Sequence, residues 1–240
     1  MSKNAELSRK DMKEPDQFQV VAGEAASWLT GHRRTAVLVG GGAVAALVVA
    51  LVVASVRERS AQQAGGALAE VYKVAGAELS SVPLPGASGP FYADDTARQK
   101  AVVEAASRAV AAGGSAGALA SLAKGDAHLK LGEWDAAGAA YQAYLAAAPK
   151  DDAFRFGALE GLALVEEGKG QPDAALAAYA RLAAEVPGQA DRADLSRARL
   201  LAAAGKKDEA RQLLAAFGEA HKGSPLASEA SDRLSRLGGK

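Results

Sequence analysis

The chain has 240 residues, with 28 lysines and arginines balanced by 28 aspartates and glutamates, so its formal net charge at pH 7 is zero. A balanced composition provides no overall field that would attract nucleic acid or an acidic substrate. The chain contains no cysteine, which excludes disulfides, cysteine-based zinc sites and thiol catalysis.

The first 34 residues form a charged tail. Pro15-Asp16 is a plausible helix start, and apolar residues follow at helical spacing until Gly31. These apolar residues are Phe18, Val21, Ala25, Trp28 and Leu29. Two interpretations remain open: an amphipathic helix in a membrane interface with Trp28 at headgroup depth, or a short linker helix.

Residues 35–56 are an unbroken run of twenty-two without a charge, an amide or a proline. A helix of that length is about 33 Å long and can cross a hydrocarbon core of about 30 Å. Basic residues flank the run at His32-Arg33-Arg34 and at Arg57 and Arg59. The run is too long, and its preceding tail too long, for a cleavable signal peptide. The sequence therefore predicts a transmembrane helix over 35–56.

The segment 39–45 also fits the glycine pattern of a dinucleotide-binding turn. That motif needs a following helix with a polar outer face and an alternation of strands and helices. Residues 43–56 lack the polar face and no such alternation follows, so a nucleotide site is not expected.

The orientation of the anchor is indicated by its basic flanks. Residues 10–34 hold four lysines and arginines, and residues 57–81 hold three. Cytoplasmic flanks carry the excess of basic residues, so the bias favours a cytoplasmic N-terminus and an exported C-terminal domain.

After the anchor, the composition favours helix throughout, with one clear break at the Pro/Gly-rich stretch 82–90. We predict helices at about 57–80 and 94–112. The expected domains are a tail at 1–34, the anchor at 35–56, a connecting helix and linker at 57–93 and a repeat domain at 94–240.

The repeat domain contains three similar copies. Their turn glycines, Gly132, Gly168 and Gly205, are spaced by 36 and 37 residues, and each is followed by an acidic residue that opens a second helix. Pro149 and Pro187 end the second helices of the first two copies. Helix–turn–helix units with a period near 34 residues are the tetratricopeptide signature. The expected fold is all-α: an anchor helix, then an α-solenoid of about three or four helix pairs. Residues 94–112 would be the second helix of a degenerate leading unit, and 224–237 a capping helix.

Small residues recur at equivalent positions and large ones fill the space between them. Gly125 and Gly161 allow close approach of two helices, as do the aligned alanines at 137, 175 and 210. Tyr141, Tyr179 and Leu214 are expected to fill the gap to the next repeat.

A tail with the stretches Asp16-Gln17-Phe18 and Trp28-Leu29, one spanning helix and a C-terminal array of such repeats together resemble the ancillary SecYEG translocon subunit family. The resemblance implies a single-pass protein of the bacterial inner membrane with periplasmic repeats. It also implies three kinds of protein partner: translocon subunits, a periplasmic chaperone and unfolded or extended segments of exported clients.

No catalytic motif is present, and we predict a chain that is not an enzyme. The histidines at 32, 128 and 221 lie far apart, so no metal or cofactor site is expected. Neither nucleic acid nor a small-molecule substrate is an expected partner. The alternative to a translocon adaptor is a structural scaffold for an envelope assembly, division or wall-synthesis complex.

Stacked helix pairs form a groove lined by the first helix of each repeat, where segments of partner proteins dock. The repeat alignment gives nine groove candidates: Asp126, Leu129, Lys130, Arg155, Leu162, Glu166, Arg192, Leu195 and Arg199. The three arginines could bind a carboxylate or backbone carbonyls of a client.

Overall fold

The computed structural model describes Gly23, Ser27 and residues 31–82 and 89–238. The chain divides into two compact units, residues 1–58 and residues 59–240. The described residues form nine α-helices: α1 (Arg33–Ala75), α2 (Asp95–Ala112), α3 (Gly114–Lys130), α4 (Trp134–Ala147), α5 (Arg155–Gly168), α6 (Pro172–Glu185), α7 (Ala190–Ala203), α8 (Lys207–Ala220) and α9 (Ala227–Gly238). A 3-10 turn, Pro187–Gln189, connects α6 to α7.

Helix α1 contains the apolar run. Over Val37–Ala75 it is long and apolar enough to cross a membrane by length and composition, with a mean hydropathy of 2.7 in its most apolar window. None of that window is buried, so large aliphatic side chains such as Leu38 and Leu51 are exposed. The helical prediction for 35–56 is confirmed. The predicted amphipathic helix of the tail falls almost entirely outside the described residues.

The prediction of a helix to residue 80 is wrong, because α1 ends at Ala75. Beyond Gly76 the backbone becomes extended, and β1 (Glu78–Leu79) pairs in parallel with β2 (Phe91–Tyr92). Arg98 of α2 donates to the Ala77 carbonyl at 3.1 Å, and the Ser80 amide donates to the Tyr92 carbonyl at 2.8 Å. These bonds satisfy backbone groups that a helical turn would otherwise have paired.

Helix α2 matches the predicted second helix of a leading unit. The Asp94 side chain accepts a hydrogen bond from the Ala97 amide at 2.7 Å and so caps its N-terminus. Val71 and Val74 near the end of α1 are buried with Val102 of α2. The end of α1 and α2 therefore share one apolar cluster. Gly113 (φ 76°) then turns the chain into α3.

Three helix pairs follow, α3 with α4, α5 with α6 and α7 with α8, and α9 covers the last pair. The α-solenoid expected from the sequence is confirmed. Helices α4 and α6 end two residues before Pro149 and Pro187, as predicted. The capping helix begins at Ala227, slightly later than expected, because the Ser224 hydroxyl accepts from the Leu226 amide at 3.0 Å in the preceding turn.

The turn glycine of the second repeat was assigned wrongly. Gly132 and Gly205 have the expected positive φ, but in the second copy the residue with positive φ is Gly170. Gly168 instead lies at the end of α5, where a Cβ would fall 2.7 Å from the Trp134 ring. Gly168 is therefore constrained by packing, and the left-handed position of this turn lies two residues later, at Gly170.

The core is a series of clusters along the array. Each cluster is shared by neighbouring helices, as in other repeat architectures. Tyr141 is fully buried, and its ring fits against backbone positions in both α3 and α5. A Cβ at Gly125 would lie 2.7 Å from this ring, and one at Gly161 would lie 2.3 Å from it. The predicted close approach at these two glycines is confirmed.

We expect Gly161→Ala to destabilise the repeat domain by up to about 2 kcal/mol. Overpacking against the buried Tyr141 ring costs about 1–3 kcal/mol and exceeds the helix-propensity gain of about 1 kcal/mol. Thermal unfolding of the full chain in detergent, followed by circular dichroism, measures the effect. Gly157→Ala in the same helix is the matched control, because its Cβ would meet only Leu122 at 4.0 Å. An unchanged or raised midpoint for Gly161→Ala would show that the ring can move.

Candidate protein-binding surface

The nine groove candidates occupy the first helices of the three pairs, but they differ in exposure. Asp126, Lys130, Arg192 and Arg199 are exposed, and Leu129, Leu162 and Glu166 are partly buried. Arg155 and Leu195 are buried at 8% and 6% exposure. The surface predicted from the repeat alignment is therefore accessible in part, with Arg155 and Leu195 buried beneath it.

Arg155 connects α5 to α4 and α6 by hydrogen bonds. Its Nη1 donates to the Leu145 carbonyl at 3.2 Å, near the end of α4, and its Nη2 donates to Glu185 at 2.9 Å, at the end of α6. The two bonds hold the guanidinium inside the array, where it cannot reach a client. Leu195 is equally internal, because it packs with Leu214 and Phe217 in the last core cluster.

The other two arginines predicted to bind a client carboxylate already have carboxylate partners. Arg192 Nε donates to Glu160 at 2.9 Å, and Arg199 Nη2 donates to both carboxylate oxygens of Glu167 at 2.7 and 2.8 Å. Both pairs join α5 to α7 across a separation of 32 residues. Arg192 also lies over the Phe156 ring, 5.1 Å from its centroid. The arginine of each pair is exposed while its glutamate is partly buried, and ion pairs with an exposed partner contribute only about 0–1 kcal/mol.

Two carboxylates at this surface accept hydrogen bonds from tyrosines of the second helices. The Tyr141 hydroxyl donates to Asp126 at 2.7 Å, and the Tyr179 hydroxyl donates to Glu167 at 2.8 Å. Burial and these neighbouring carboxylates raise the pKa of both tyrosines well above the ordinary value. Although Asp126 as a whole is exposed, desolvation of its carboxyl group raises its pKa, and the bond from Tyr141 opposes the shift. Each carboxylate is thereby held in one orientation.

A third tyrosine makes an equivalent bond at the turn between repeats. Tyr144, at a position that usually holds alanine, is fully buried and donates to Asp152 at 2.6 Å. This bond, followed by one from the Phe154 amide, lowers the pKa of the Asp152 carboxyl. The large side chain is accommodated because its polar end reaches the loop before α5.

The sequence carried a signal for the cross-repeat pairs that a motif search does not detect. Opposite charges recur at a separation slightly shorter than the repeat: Glu160 with Arg192 and Glu167 with Arg199 across 32 residues, and Asp173 with Lys206 at 3.0 Å across 33 residues. Comparing charges at separations of 32 and 33 residues would have identified all three pairs. Among residues 31–82 and 89–238, no group of three or more histidines, aspartates or glutamates is placed to hold a metal ion.

The comparison with protein families agrees with this architecture. Residues 101–152 and 159–225 match the tetratricopeptide repeat family model. The C-terminal array is a tetratricopeptide-like solenoid. The matched residues include all of α3 and α7, the two helices that carry the exposed groove candidates, together with most of α2 and α5 and all of α4, α6 and α8. No curated protein matches the chain.

We expect Arg155→Met and Arg192→Met to have different effects, although both residues lie in the first turn of a first helix. Arg155→Met removes buried bonds to Leu145 and Glu185, and should lower the free energy of unfolding by about 1–3 kcal/mol. Arg192→Met breaks an exposed pair and should change it by about 1 kcal/mol or less. Urea unfolding of the full chain in detergent measures both. Equal losses would contradict the structural role of Arg155.

Proposed function

We propose that this chain is a membrane-tethered protein-binding adaptor that works beside the Sec translocon and helps pass exported proteins to periplasmic chaperones. The observation that carries the proposal is the combination, in one chain, of a helix able to cross a membrane and a tetratricopeptide-like array. Such repeats generally mediate protein–protein interaction rather than catalysis. The architectural resemblance to the ancillary translocon subunit supports the more specific role.

The proposed topology is a single pass through the bacterial inner membrane, with the N-terminus in the cytoplasm and the repeats in the periplasm. A tether of this kind raises the local concentration of a weak binding surface for emerging chains. The exposed Arg192 and Arg199 fit weak and reversible binding, because a client carboxylate must compete with Glu160 and Glu167 for these arginines.

The topology predicts opposite results for two fusions placed after Lys240. Alkaline phosphatase should be active, since it folds in the periplasm, and a fluorescent protein that matures only in the cytosol should be dark. The same fusions on a chain lacking residues 35–56 control for export. The reverse pattern would remove the periplasmic role and leave a cytosolic membrane-bound scaffold.

Photo-crosslinking in bacterial cells tests the surface itself. A photo-reactive residue at Lys130 or Arg192, on first helices, should capture translocon subunits and many newly exported proteins. Gln142 and Ala177, exposed on second helices, are the matched control positions and should capture few. One or two stoichiometric partners without exported clients would favour the envelope scaffold, and no crosslinks at Lys130 or Arg192 would contradict binding at this surface.

A further inference from the structure

A pocket of about 250 Å³ lies between α7, α8 and α9 at the C-terminal end of the array. Its apolar lining comes from two alanines of α7 together with Leu214 and Leu237. The remaining lining residues are three arginines: Arg199, Arg233 and Arg236. None of the lining residues is acidic, so the pocket joins an apolar interior to a positively charged rim.

The wall formed by α9 is fixed in place by backbone contacts. Arg211 of α8 donates to the Leu237 carbonyl from Nε at 3.0 Å and from Nη2 at 2.7 Å. Arg233 donates from Nη1 to the Leu195 carbonyl of α7 at 3.1 Å. The pocket is therefore bounded by three helices that are bonded to one another.

The three rim arginines differ in what they already bind. Arg199 is paired with Glu167, and Arg233 binds Glu229 as well as the Leu195 carbonyl. Arg236 is exposed and has no hydrogen bond or ion pair with any residue that the structure describes. Its planar fork of donors is therefore available to a carboxylate from outside the chain.

We propose that this pocket binds an acidic–apolar segment of a partner protein, with one large apolar side chain in the pocket and a neighbouring carboxylate on Arg236. The pocket is smaller than the roughly 300–1,000 Å³ of small-molecule sites, which favours a single side chain as the occupant. The charge of Arg236 disfavours segments in which the apolar residue is flanked by lysine or arginine. The inference rests on the proposed protein-binding function and names the chemistry of one binding site.

Three variants separate the pocket from the rest of the array. Arg236→Glu reverses the available charge, and Ala202→Leu fills the pocket from α7. Arg108→Glu is the matched control, because Arg108 is exposed on α2 and its substitution makes the same change in net charge. Circular dichroism of each full-length variant in detergent checks folding. If Ala202→Leu does not fold, Arg236→Glu alone carries the test.

The probes are fluorescein-labelled peptide pools with a central leucine or phenylalanine flanked by aspartate and glutamate, by asparagine and glutamine, or by lysine. The wild-type chain and Arg108→Glu should bind the acidic pool equally and more tightly than the other two. Arg236→Glu should weaken that binding by about tenfold to a hundredfold, as expected for losing a charge-assisted hydrogen bond. Arg236→Lys should retain part of it, and added salt should weaken it.

Two results would overturn the inference: equal binding of the amide and acidic pools, or binding by Arg236→Glu equal to that of Arg108→Glu. Crosslinking from Lys130 and Arg192 distinguishes this failure from failure of the proposed function. If those crosslinks persist while the acidic pool is not preferred, the array binds proteins but not through this pocket. If the crosslinks are absent as well, the protein-binding function itself is wrong.

Discussion

The close approach of α3 and α5 around the Tyr141 ring is the constraint on which the array depends. The helices are rich in alanine, which buries little area per residue, so a few large side chains determine how neighbouring pairs fit. Gly125 and Gly161 provide the space for the ring. The buried hydroxyl then needs a partner, because an unsatisfied polar group in the interior is costly, and Asp126 supplies it. Packing inside the array thus fixes a carboxylate on its surface.

Charged side chains in the predicted groove are likewise paired with one another inside the array. Glu160 and Glu167 of α5 bind the arginines that approach from α7, and Tyr179 adds a second bond to Glu167. A partner at this surface must compete with bonds already present, which suits transient contact better than tight recognition. The end of the array differs, since Arg236 has no partner among the described residues and lies beside an apolar pocket. Selectivity therefore fits the end of the solenoid better than its middle.

The fold could be predicted from the sequence because the sequence repeats. Recurring glycines, alanines and prolines predict helix pairs and their order without any tertiary information, and the structure agrees for α4 and α6. Backbone conformations that depend on residues far away in the sequence could not be predicted in this way. The extended residues after Gly76 depend on β2, and the left-handed Gly170 depends on where Gly168 meets the Trp134 ring.

The candidate site was less predictable than the fold. A repeat alignment assigns Arg155 and Arg192 to the same face, but it cannot show that one guanidinium turns inward to the ends of α4 and α6. The pocket depends on the docking of α9, a helix that the sequence presents only as a polar cover. From the sequence alone, Arg236 is indistinguishable from an ordinary solvated charge, because the pocket forms only where α7, α8 and α9 pack together.

The serial arrangement of the core clusters has a consequence for motion. No large cluster spans the described helices of the array, so opening one end need not disturb the other. The cluster that holds α9 is shared with α7 and α8, and α9 shields it from solvent through small contacts such as Ala230. Amide protons should therefore exchange fastest in α9 and slowest in α5 and α6. A partner segment bound against α9 would slow amide exchange in that helix. Binding at the terminal pocket would therefore make the last repeat more rigid.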